Sequence, residues 1–353
     1  MTPGRVAILF ITLCASAWAQ VQDLVFRLPT ENTALFTTGG HDYFVYVDRL
    51  FEGRKTQPWQ AGTYGMVRNP FRPQPGAEVM YSRMHEGIDV KPMRRDAQGN
   101  PLDEVRPIAP GYVVHTSTRP GHSNYGRYVV VAHRAPEGTI YSLYAHLATV
   151  SCEVGQRVGT GNVLGRLGYS GVGLNKTRAH LHLEIGLMIN SRFTEFYTGE
   201  NKHGNFNGLN LIGIDPAVVL RACQNGESFS LTRHFATLKE HYRVAIPCLP
   251  SLDILRRHPF LYKGSRTATT RPESLEIAFT AEGVPIGIYP STRSVQTPHI
   301  CACRPMPTLQ QNCTVNRVKN SSTNAALTRS GMAYIAQYLW HGAPDTAADS
   351  TTD

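Results

Sequence analysis

The stretch Ala179-His180-Leu181-His182-Leu183-Glu184-Ile185 decides the fold of this chain. Polar and apolar residues alternate strictly along it, which is the pattern of a β-strand with one face in a core. On such a strand His180, His182 and Glu184 share one face, and the aliphatic side chains point into the core. Two imidazoles held side by side can bind one metal ion, or a metal ion and the water that it activates. A strand with two surface histidines is the plainer interpretation.

The bulk composition fits a globular protein of two domains. The chain has 353 residues, and its hydrophobic fraction of 41% is sufficient for packed cores. No internal apolar run is long enough to span a bilayer. The formal charge of +9 is spread along the chain, which suits an anionic surface but is equally explained by solubility. No aromatic-plus-basic motif favours nucleic acid.

The first residues predict an export signal. Arg5 precedes the apolar run of residues 6–13, and Ala17-Trp18-Ala19 has small residues at the two positions that a signal peptidase reads. We therefore expect cleavage after Ala19 and a location in the periplasm or outside the cell. Six cysteines remain after cleavage, and an even number in an exported chain predicts disulfides, although the sequence does not choose the pairing. They are Cys152, Cys223, Cys248, Cys301, Cys303 and Cys313.

Short β-type runs punctuated by glycines predict an antiparallel, mostly β domain in the first part of the chain. The clearest runs besides the His180 strand are residues 111–114, 128–131 and 140–144, and residues 43–47 predict a strand further upstream. The part after Arg221 predicts a smaller, disulfide-containing α+β domain. The predicted divisions are a signal peptide (1–19), an N-terminal lead-in (20–63), a catalytic domain (64–221), a C-terminal domain (222–342) and a disordered tail (343–353).

The C-terminal domain has two recognisable elements. Residues 275–279 and 286–289 alternate around Glu282-Gly283 and predict a hairpin. Near the end, apolar residues recur at helical spacing before Gly342, namely Met332, Ile335, Ala336 and Leu339. A structural appendage and a wall-binding or partner-binding module are both compatible with this region.

Three further segments hold residues that can do chemistry. His85-Glu86-Gly87-Ile88-Asp89 supplies an imidazole and a carboxylate, both good zinc ligands, and Gly87 allows a tight turn between them. Tyr144-Ala145-His146-Leu147 ends an apolar strand, and a glycine-rich segment, residues 165–171, precedes the histidine strand. Taken singly, a solvated loop or a structural histidine explains each segment.

In this order and at these separations, the segments resemble the lysostaphin-type, or LytM-like, zinc endopeptidases of bacterial cell walls, which have the duplicated hybrid motif fold. The resemblance covers residues 64–220. It includes His85-x-x-x-Asp89, Asn124-Tyr125-Gly126, Tyr144-Ala145-His146-Leu147, Val154-Gly155-Gln156-x-Val158 and His180-Leu181-His182 with Glu184-Ile185.

The resemblance implies roles for five residues. His85, Asp89 and His182 bind one Zn²⁺, and His146 and His180 face its open side as catalytic residues. Three protein ligands leave the fourth tetrahedral position for water, as a catalytic zinc site requires. Which histidine is the general base, and which one hydrogen-bonds the oxyanion or carries a proton, stays open at this point.

The sequence therefore predicts an exported zinc metalloendopeptidase that hydrolyses amide bonds in the peptide cross-links of peptidoglycan. One alternative is a catalytically silent wall-binding or amidase-activating module, which the presence of all five site residues disfavours. Another is a biotinyl or lipoyl carrier, but residues 155–165 have no lysine for a hairpin tip. The type of cross-link, glycine bridge or diamino acid, stays open.

Three features depart from the resemblance or qualify it. Cys152 lies where a plain turn is usual, so we expect a disulfide from it to Cys223 or to the C-terminal region. Residues 188–213 form a long tract that is expected to lie over the cleft. His41 or Asp42 in the lead-in is a candidate for covering the metal in a latent form.

Overall fold

The computed structural model describes residues 23–200, 203–265, 270–305, 310–319 and 324–341. The predicted export signal and the tail lie outside these residues. In the first part of the chain the strands are β1 (Arg49–Phe51), β2 (Arg54–Thr56), β3 (Gly65–Phe71), β4 (Met80–His85), β5 (Ile88–Val90), β6 (Glu104–Val105), β7 (Gly111–Ser117), β8 (Tyr128–Ala135), β9 (Gly138–Ala145), β10 (Thr149–Val150), β11 (Arg157–Val158), β12 (Gly165–Arg166), β13 (Leu181–Met188) and β14 (Leu211–Ile214). The helices there are α1 (Ala34–Thr37), α2 (Phe193–Phe196) and α3 (Pro216–Ala222), with short 3₁₀ helices at Trp59–Gly62 and Lys176–Arg178.

A seven-stranded antiparallel sheet forms the centre of this part of the chain. Its strands lie in the order β11-β7-β8-β9-β13-β14, and β5 pairs with the beginning of β13. The runs predicted at residues 111–114, 128–131 and 140–144 lie within β7, β8 and β9. The prediction of a mostly antiparallel β domain is therefore confirmed.

Strand β13 behaves as its alternation predicts, except that both of its faces are covered. Leu181, Leu183 and Ile185 are fully buried in the main core. His182 and Glu184 on the other face are only 7% and 4% exposed. Polar side chains that are buried on a central strand need hydrogen-bond partners, so the residues that face His182 and Glu184 must supply them.

The lead-in packs onto the sheet rather than trailing from it. Phe26, Leu35 and Phe44 are buried in the same apolar cluster as the sheet residues. The strand predicted at residues 43–47 does not form, because β5 is only three residues long and pairs with this segment through one bridge, Phe44 to Val90. The lead-in therefore forms part of the support beneath β5.

The C-terminal region is β-rich. Its strands are β15 (Tyr242–Pro247), β16 (Ser274–Phe279), β17 (Pro285–Ser291), β18 (His299–Cys303), β19 (Val318–Lys319) and β20 (Ala326–Leu327). Its helices are α4 (Leu231–Thr237), α5 (Asp253–Arg257), α6 (Gln310–Cys313) and α7 (Arg329–Leu339), with a 3₁₀ helix at Pro259–Leu261. Strands β15 to β18 form a four-stranded antiparallel sheet in the order β17-β16-β15-β18. The predicted hairpin is β16–β17 and the predicted helix is α7, so both predictions are confirmed.

Buried polar side chains join this region to the catalytic sheet. The Asn190 side-chain amide donates to the carbonyls of Gln337 and Trp340 at 2.8 Å each, and the Gln337 amide donates to Asn210 at 2.7 Å. Asn190 and Asn210 bracket the tract between β13 and β14. Helix α7 therefore supports that tract from below.

The predicted disulfides are absent from the described residues, where none of the six cysteines forms an S–S bond. Cys152, expected to pair with Cys223 or with the C-terminal region, instead donates weakly to the Leu164 carbonyl at 3.7 Å. Both Cys152 and Cys223 lie in the main apolar core, where a free cysteine packs as a small hydrophobic residue. Burial raises the pKa of the Cys152 thiol to about 11, which keeps it protonated.

Among the described residues, no helix combines the length and apolar character needed to cross a membrane.

Candidate metal centre

Three side chains present one ligand atom each to a common point. Nε2 of His85 lies 3.1 Å from Oδ1 of Asp89 and 3.1 Å from Nδ1 of His182, and the last two atoms are 2.9 Å apart. All three residues are buried. Within the described part of the chain, this is the only group of three or more such side chains close enough to hold a metal ion.

The strand register brings these residues together. In the sheet, His182 pairs with Asp89 of β5 on one side and with Ala145 of β9 on the other. The turn between β4 and β5 passes close to β13, because a Cβ atom on Gly87 would lie 2.3 Å from the Leu183 carbonyl oxygen. Any side chain at Gly87 would therefore push Asp89 away from His182.

The outer nitrogen of each metal-facing imidazole is held by an acceptor. Nδ1–H of His85 donates to the Thr63 carbonyl at 2.8 Å. Nε2–H of His182 donates to Oε1 of Glu184 at 2.9 Å. These bonds orient the two rings, so that Nε2 of His85 and Nδ1 of His182 face Asp89.

The electrostatic environment favours the ligand forms of His85 and Asp89. Burial lowers the pKa of His85 to about 4, so its imidazole is neutral near pH 7. Burial alone would raise the pKa of Asp89, but the adjacent His180 and His85 hold it well below its usual range. Burial also acts to lower the pKa of His182, but the hydrogen bonds of His182 to Asp89 and Glu184 outweigh it and raise that pKa to about 9. A metal ion must therefore displace a proton from His182 at neutral pH.

The two other predicted site residues face the same point. Nδ1–H of His146 donates to the Ser170 carbonyl at 3.0 Å, and Nδ1–H of His180 donates to the Arg178 carbonyl at 2.7 Å. The two rings lie 4.7 Å apart, centroid to centroid, and Nε2 of His180 is 3.4 Å from Oδ1 of Asp89. Both histidines thus present an Nε2 lone pair beside the metal-binding group.

The backbone at His146 is unusual. Its φ is +64°, in the left-handed region that residues with a side chain rarely adopt. Its N–H donates to the Tyr125 carbonyl at 2.9 Å, which holds the chain in this conformation. The strained backbone turns the ring of His146 away from the strand direction and toward Ser170.

Glu184 and Tyr125 form one wall of the site. The Tyr125 hydroxyl donates to Oε1 of Glu184 at 2.8 Å and accepts from the Gly208 backbone N–H at 3.2 Å. Gly208 belongs to the tract that was expected to lie over the cleft, so that tract reaches the wall of the site. Glu184 orients His182 and does not itself supply a ligand atom to the three-residue group.

No residue pattern in the sequence pointed to Arg68 as part of the site. Its Nη2 lies 2.6 Å from Oδ2 of Asp89, on the side opposite the metal-facing oxygen, and its Nε donates to the Ala61 carbonyl at 3.0 Å. Arg68 is brought there by the β3–β4 hairpin, which no local pattern connects to Asp89. It fixes the orientation of the Asp89 carboxylate.

The lead-in residues considered as a cover lie elsewhere. The His41 ring contacts the Tyr46 hydroxyl at 2.9 Å and Asp42 at 3.4 Å, with 51% of its side chain exposed. Asp42 is 61% exposed. The suggestion that His41 or Asp42 covers the metal is therefore wrong for this conformation.

The fold and the site define a class: a mostly β domain with a His-Asp-His metal group and two further histidines at its open side. Residues 83–193 match the family described as Peptidase family M23, and all five predicted site residues lie in that segment. This segment of the chain is therefore similar to peptidase family M23, and the His-Asp-His metal group within it is intact. No curated protein matches the chain.

Several solved structures are similar to part of the chain. The catalytic domain of the antimicrobial peptidase lysostaphin from Staphylococcus simulans is 22% identical, with 45% of this chain and 89% of that chain covered and a TM-score of 0.28. LytU is 19% identical, with coverage of 44% and 78% and a TM-score of 0.26. A zinc-containing peptidase from Vibrio cholerae is 22% identical, with coverage of 40% and 43% and a TM-score of 0.23. At these scores the likeness carries no argument about activity.

Proposed function

We propose that this protein is an exported zinc metalloendopeptidase that hydrolyses amide bonds in the peptide cross-links of peptidoglycan. The observation that carries the proposal is that an acceptor holds the outer nitrogen of all four imidazoles at the site, namely those of His85, His146, His180 and His182. Imidazoles whose outer nitrogens are held in this way around one carboxylate are suited to metal-assisted hydrolysis.

The donor set fits zinc. Two imidazole nitrogens and one carboxylate oxygen, from His85, His182 and Asp89, are typical of catalytic zinc sites with an open position. Their mutual separations of 2.9–3.1 Å are close to the roughly 3.3 Å expected between ligands of a tetrahedral zinc ion. A bound Zn²⁺ supplies Lewis acidity, which activates water and polarises a peptide carbonyl.

We assign the proton transfers to the two remaining histidines. Nε2 of His180 lies 3.4 Å from Oδ1 of Asp89, beside the metal-binding group, where it can take a proton from the attacking water. Burial and the nearby His180 hold the pKa of His146 well below its usual range, so His146 stays neutral at rest and gives up a captured proton readily. His180 is therefore the general base, and His146 passes a proton to the leaving amine.

The envelope location and the substrate rest on three supports. The first residues have the pattern of an export signal, and the match of residues 83–193 to family M23 connects the site with enzymes that act on peptidoglycan. The net charge of +9 is compatible with an anionic wall.

Digestion of purified peptidoglycan tests the proposal. We would incubate it with the mature protein, with and without chelator, and identify released fragments by mass spectrometry. His182→Ala removes a ligand, and His41→Ala is a matched control because its ring is half exposed and bonds only to neighbours in the lead-in. Chelator-sensitive release of peptides, lost in His182→Ala and kept in His41→Ala, supports the proposal. If wild type binds the wall and releases nothing, the silent binding module is the better description.

A further inference from the structure

Strand β4 carries an arginine on the same face as a metal-binding histidine. Arg83 and His85 are two residues apart on β4, so their side chains point to one face, with Cα atoms about 7 Å apart along the strand. Arg83 also pairs directly with Arg68 of β3, whose guanidinium bonds to Asp89. Arg83 is exposed, whereas Arg68 is largely covered. Its charge therefore lies at the rim of the site.

Two more arginines approach this rim from other segments. Arg49 lies on β1, which packs against β3. Arg178 ends the 3₁₀ helix before the histidine strand, and its carbonyl holds His180. After burial, the charges of Arg68, Arg178 and Arg83 lower the pKa of Arg49, as expected for guanidinium groups near one another. We call Arg49, Arg83 and Arg178 the arginine rim.

The positive charge of the arginine rim is balanced by no direct ion pair among the described residues. Asp89 is paired with Arg68, and Asp48 bonds to Gln57 at 2.6 Å and lies 3.6 Å from Lys55. The Gln57 bond and, to a lesser degree, the charge of Arg178 lower the pKa of Asp48. Among the described residues none of the rim arginines forms an ion pair. Arg83 lies opposite Arg68 on the paired strand, and like charges in this position are destabilising. An anion bound beside them would reduce that repulsion. Guanidinium groups bind carboxylates in bidentate fashion, so a carboxylate is the group that fits.

We propose that the arginine rim is a subsite for a free carboxylate of the substrate, next to the scissile amide. This inference rests on the proposed peptidoglycan hydrolysis and selects its substrate class. A glycine bridge is uncharged along its length. A cross-link through a diamino-dicarboxylic acid keeps a carboxylate within a few bonds of the cleaved amide. The preferred substrate is therefore the anionic cross-link.

Two synthetic cross-linked peptides test the subsite. They are identical except that one has the free carboxylate of the diamino-dicarboxylic acid and the other has a carboxamide there. We would measure kcat and KM for wild type, Arg83→Gln and Arg83→Lys, with zinc content determined for each. Arg134→Gln is the matched control, because Arg134 is exposed on β8 near the turn to β9, at the opposite end of that hairpin from His146.

We expect wild type to prefer the carboxylate peptide by about ten-fold to a hundred-fold, as for one charge-assisted pair. Arg83→Gln should lose most of that preference through KM, with unchanged zinc content, and Arg83→Lys should retain part of it. The preference should shrink as salt is added, and Arg134→Gln should match wild type. Equal cleavage of both peptides by wild type would overturn the subsite, as would an equal loss on both in Arg83→Gln.

Failure of the hydrolysis itself gives a different result. If neither peptide is cleaved, the proposed function fails, and the affinity of wild type for the two intact peptides then decides the subsite. Tighter binding of the carboxylate peptide, lost in Arg83→Gln, supports it. Equal affinities overturn it and leave the rim as general attraction to anionic wall polymer.

Discussion

Glu184→Gln removes one buried negative charge and preserves the shape of the side chain. Glu184 is 4% exposed, and its Oε1 accepts from His182 at 2.9 Å and from the Tyr125 hydroxyl at 2.8 Å. The amide oxygen of the replacement can accept both bonds. The substitution therefore isolates the effect of the Glu184 charge on a cation bound by His182.

The size of the effect follows from the distance and from the dielectric. The far nitrogen of the His182 ring, Nδ1, is roughly 5 Å from Oε1 of Glu184, where a unit charge pair is worth at most about 3 kcal/mol at an effective dielectric constant of ~20. Removing outer partners of metal-bound histidines costs about ten-fold to a hundred-fold in metal affinity. We expect a loss of zinc affinity in that range.

Proton competition makes the loss depend on pH. The pKa of His182 is about 9, because its bonds to Asp89 and Glu184 outweigh burial, and Glu184→Gln also weakens the binding of that proton. A divalent cation loses about twice the Coulomb energy that a proton loses, so the net effect at pH 7 is still a weaker site. Above pH 9 the proton no longer competes, and the loss of zinc affinity should grow.

Zinc affinity is measured by competition with a chromophoric chelator at about pH 7 and again above pH 9. Tyr125→Phe is the control, since it removes a bond to Glu184 and keeps the charge. The metal-free protein should lose some stability at pH 7, because Glu184→Gln weakens the binding of a proton that the folded state holds on His182, and this loss should disappear above pH 9. Unchanged zinc affinity, or above pH 9 a loss matched by an equal fall in metal-free stability, would refute the reasoning.

Two further predictions concern stability. Gly171→Ala should destabilise the protein by about 2 kcal/mol more than Gly173→Ala in urea unfolding. Both glycines have positive φ, +113° and +82°, but a Cβ on Gly171 would lie 2.3 Å from the Asn124 carbonyl oxygen, whereas one on Gly173 meets nothing within 4 Å. Equal losses of stability in the two variants would show that the cost comes from the positive φ alone and not from the contact with Asn124. Burial lowers the pKa of His133 from 6.5 to about 4, so the unfolded chain takes up a proton first as the pH falls. The free energy of unfolding should therefore decrease from pH 6.5 toward pH 4, by up to about 3 kcal/mol from this residue, and His133→Gln should reduce that slope in thermal or urea unfolding.

The residue pattern predicted the central strands because burial alternates with side-chain direction along each of them. The alternation of Leu181, Leu183 and Ile185 predicted β13 and its core face, and the resemblance to LytM-like zinc endopeptidases predicted a metal group of His85, Asp89 and His182. The residue pattern predicted a strand wrongly where strand formation depended on the length of a partner strand. The segment at residues 43–47 has strand composition, yet the short β5 gives it a single bridge.

By itself the sequence determined which side chains can bind metal and which face of β13 carries them, since residue type and a period of two are local properties. Only the tertiary structure decided how those side chains are used. The tautomers of His85, His146 and His180 are set by the carbonyls of Thr63, Ser170 and Arg178. Because every residue has a backbone carbonyl, these hydrogen-bond acceptors cannot be predicted from residue type. Likewise Arg68 reaches Asp89 only because the β3–β4 register places it there, and register is a property of two strands together.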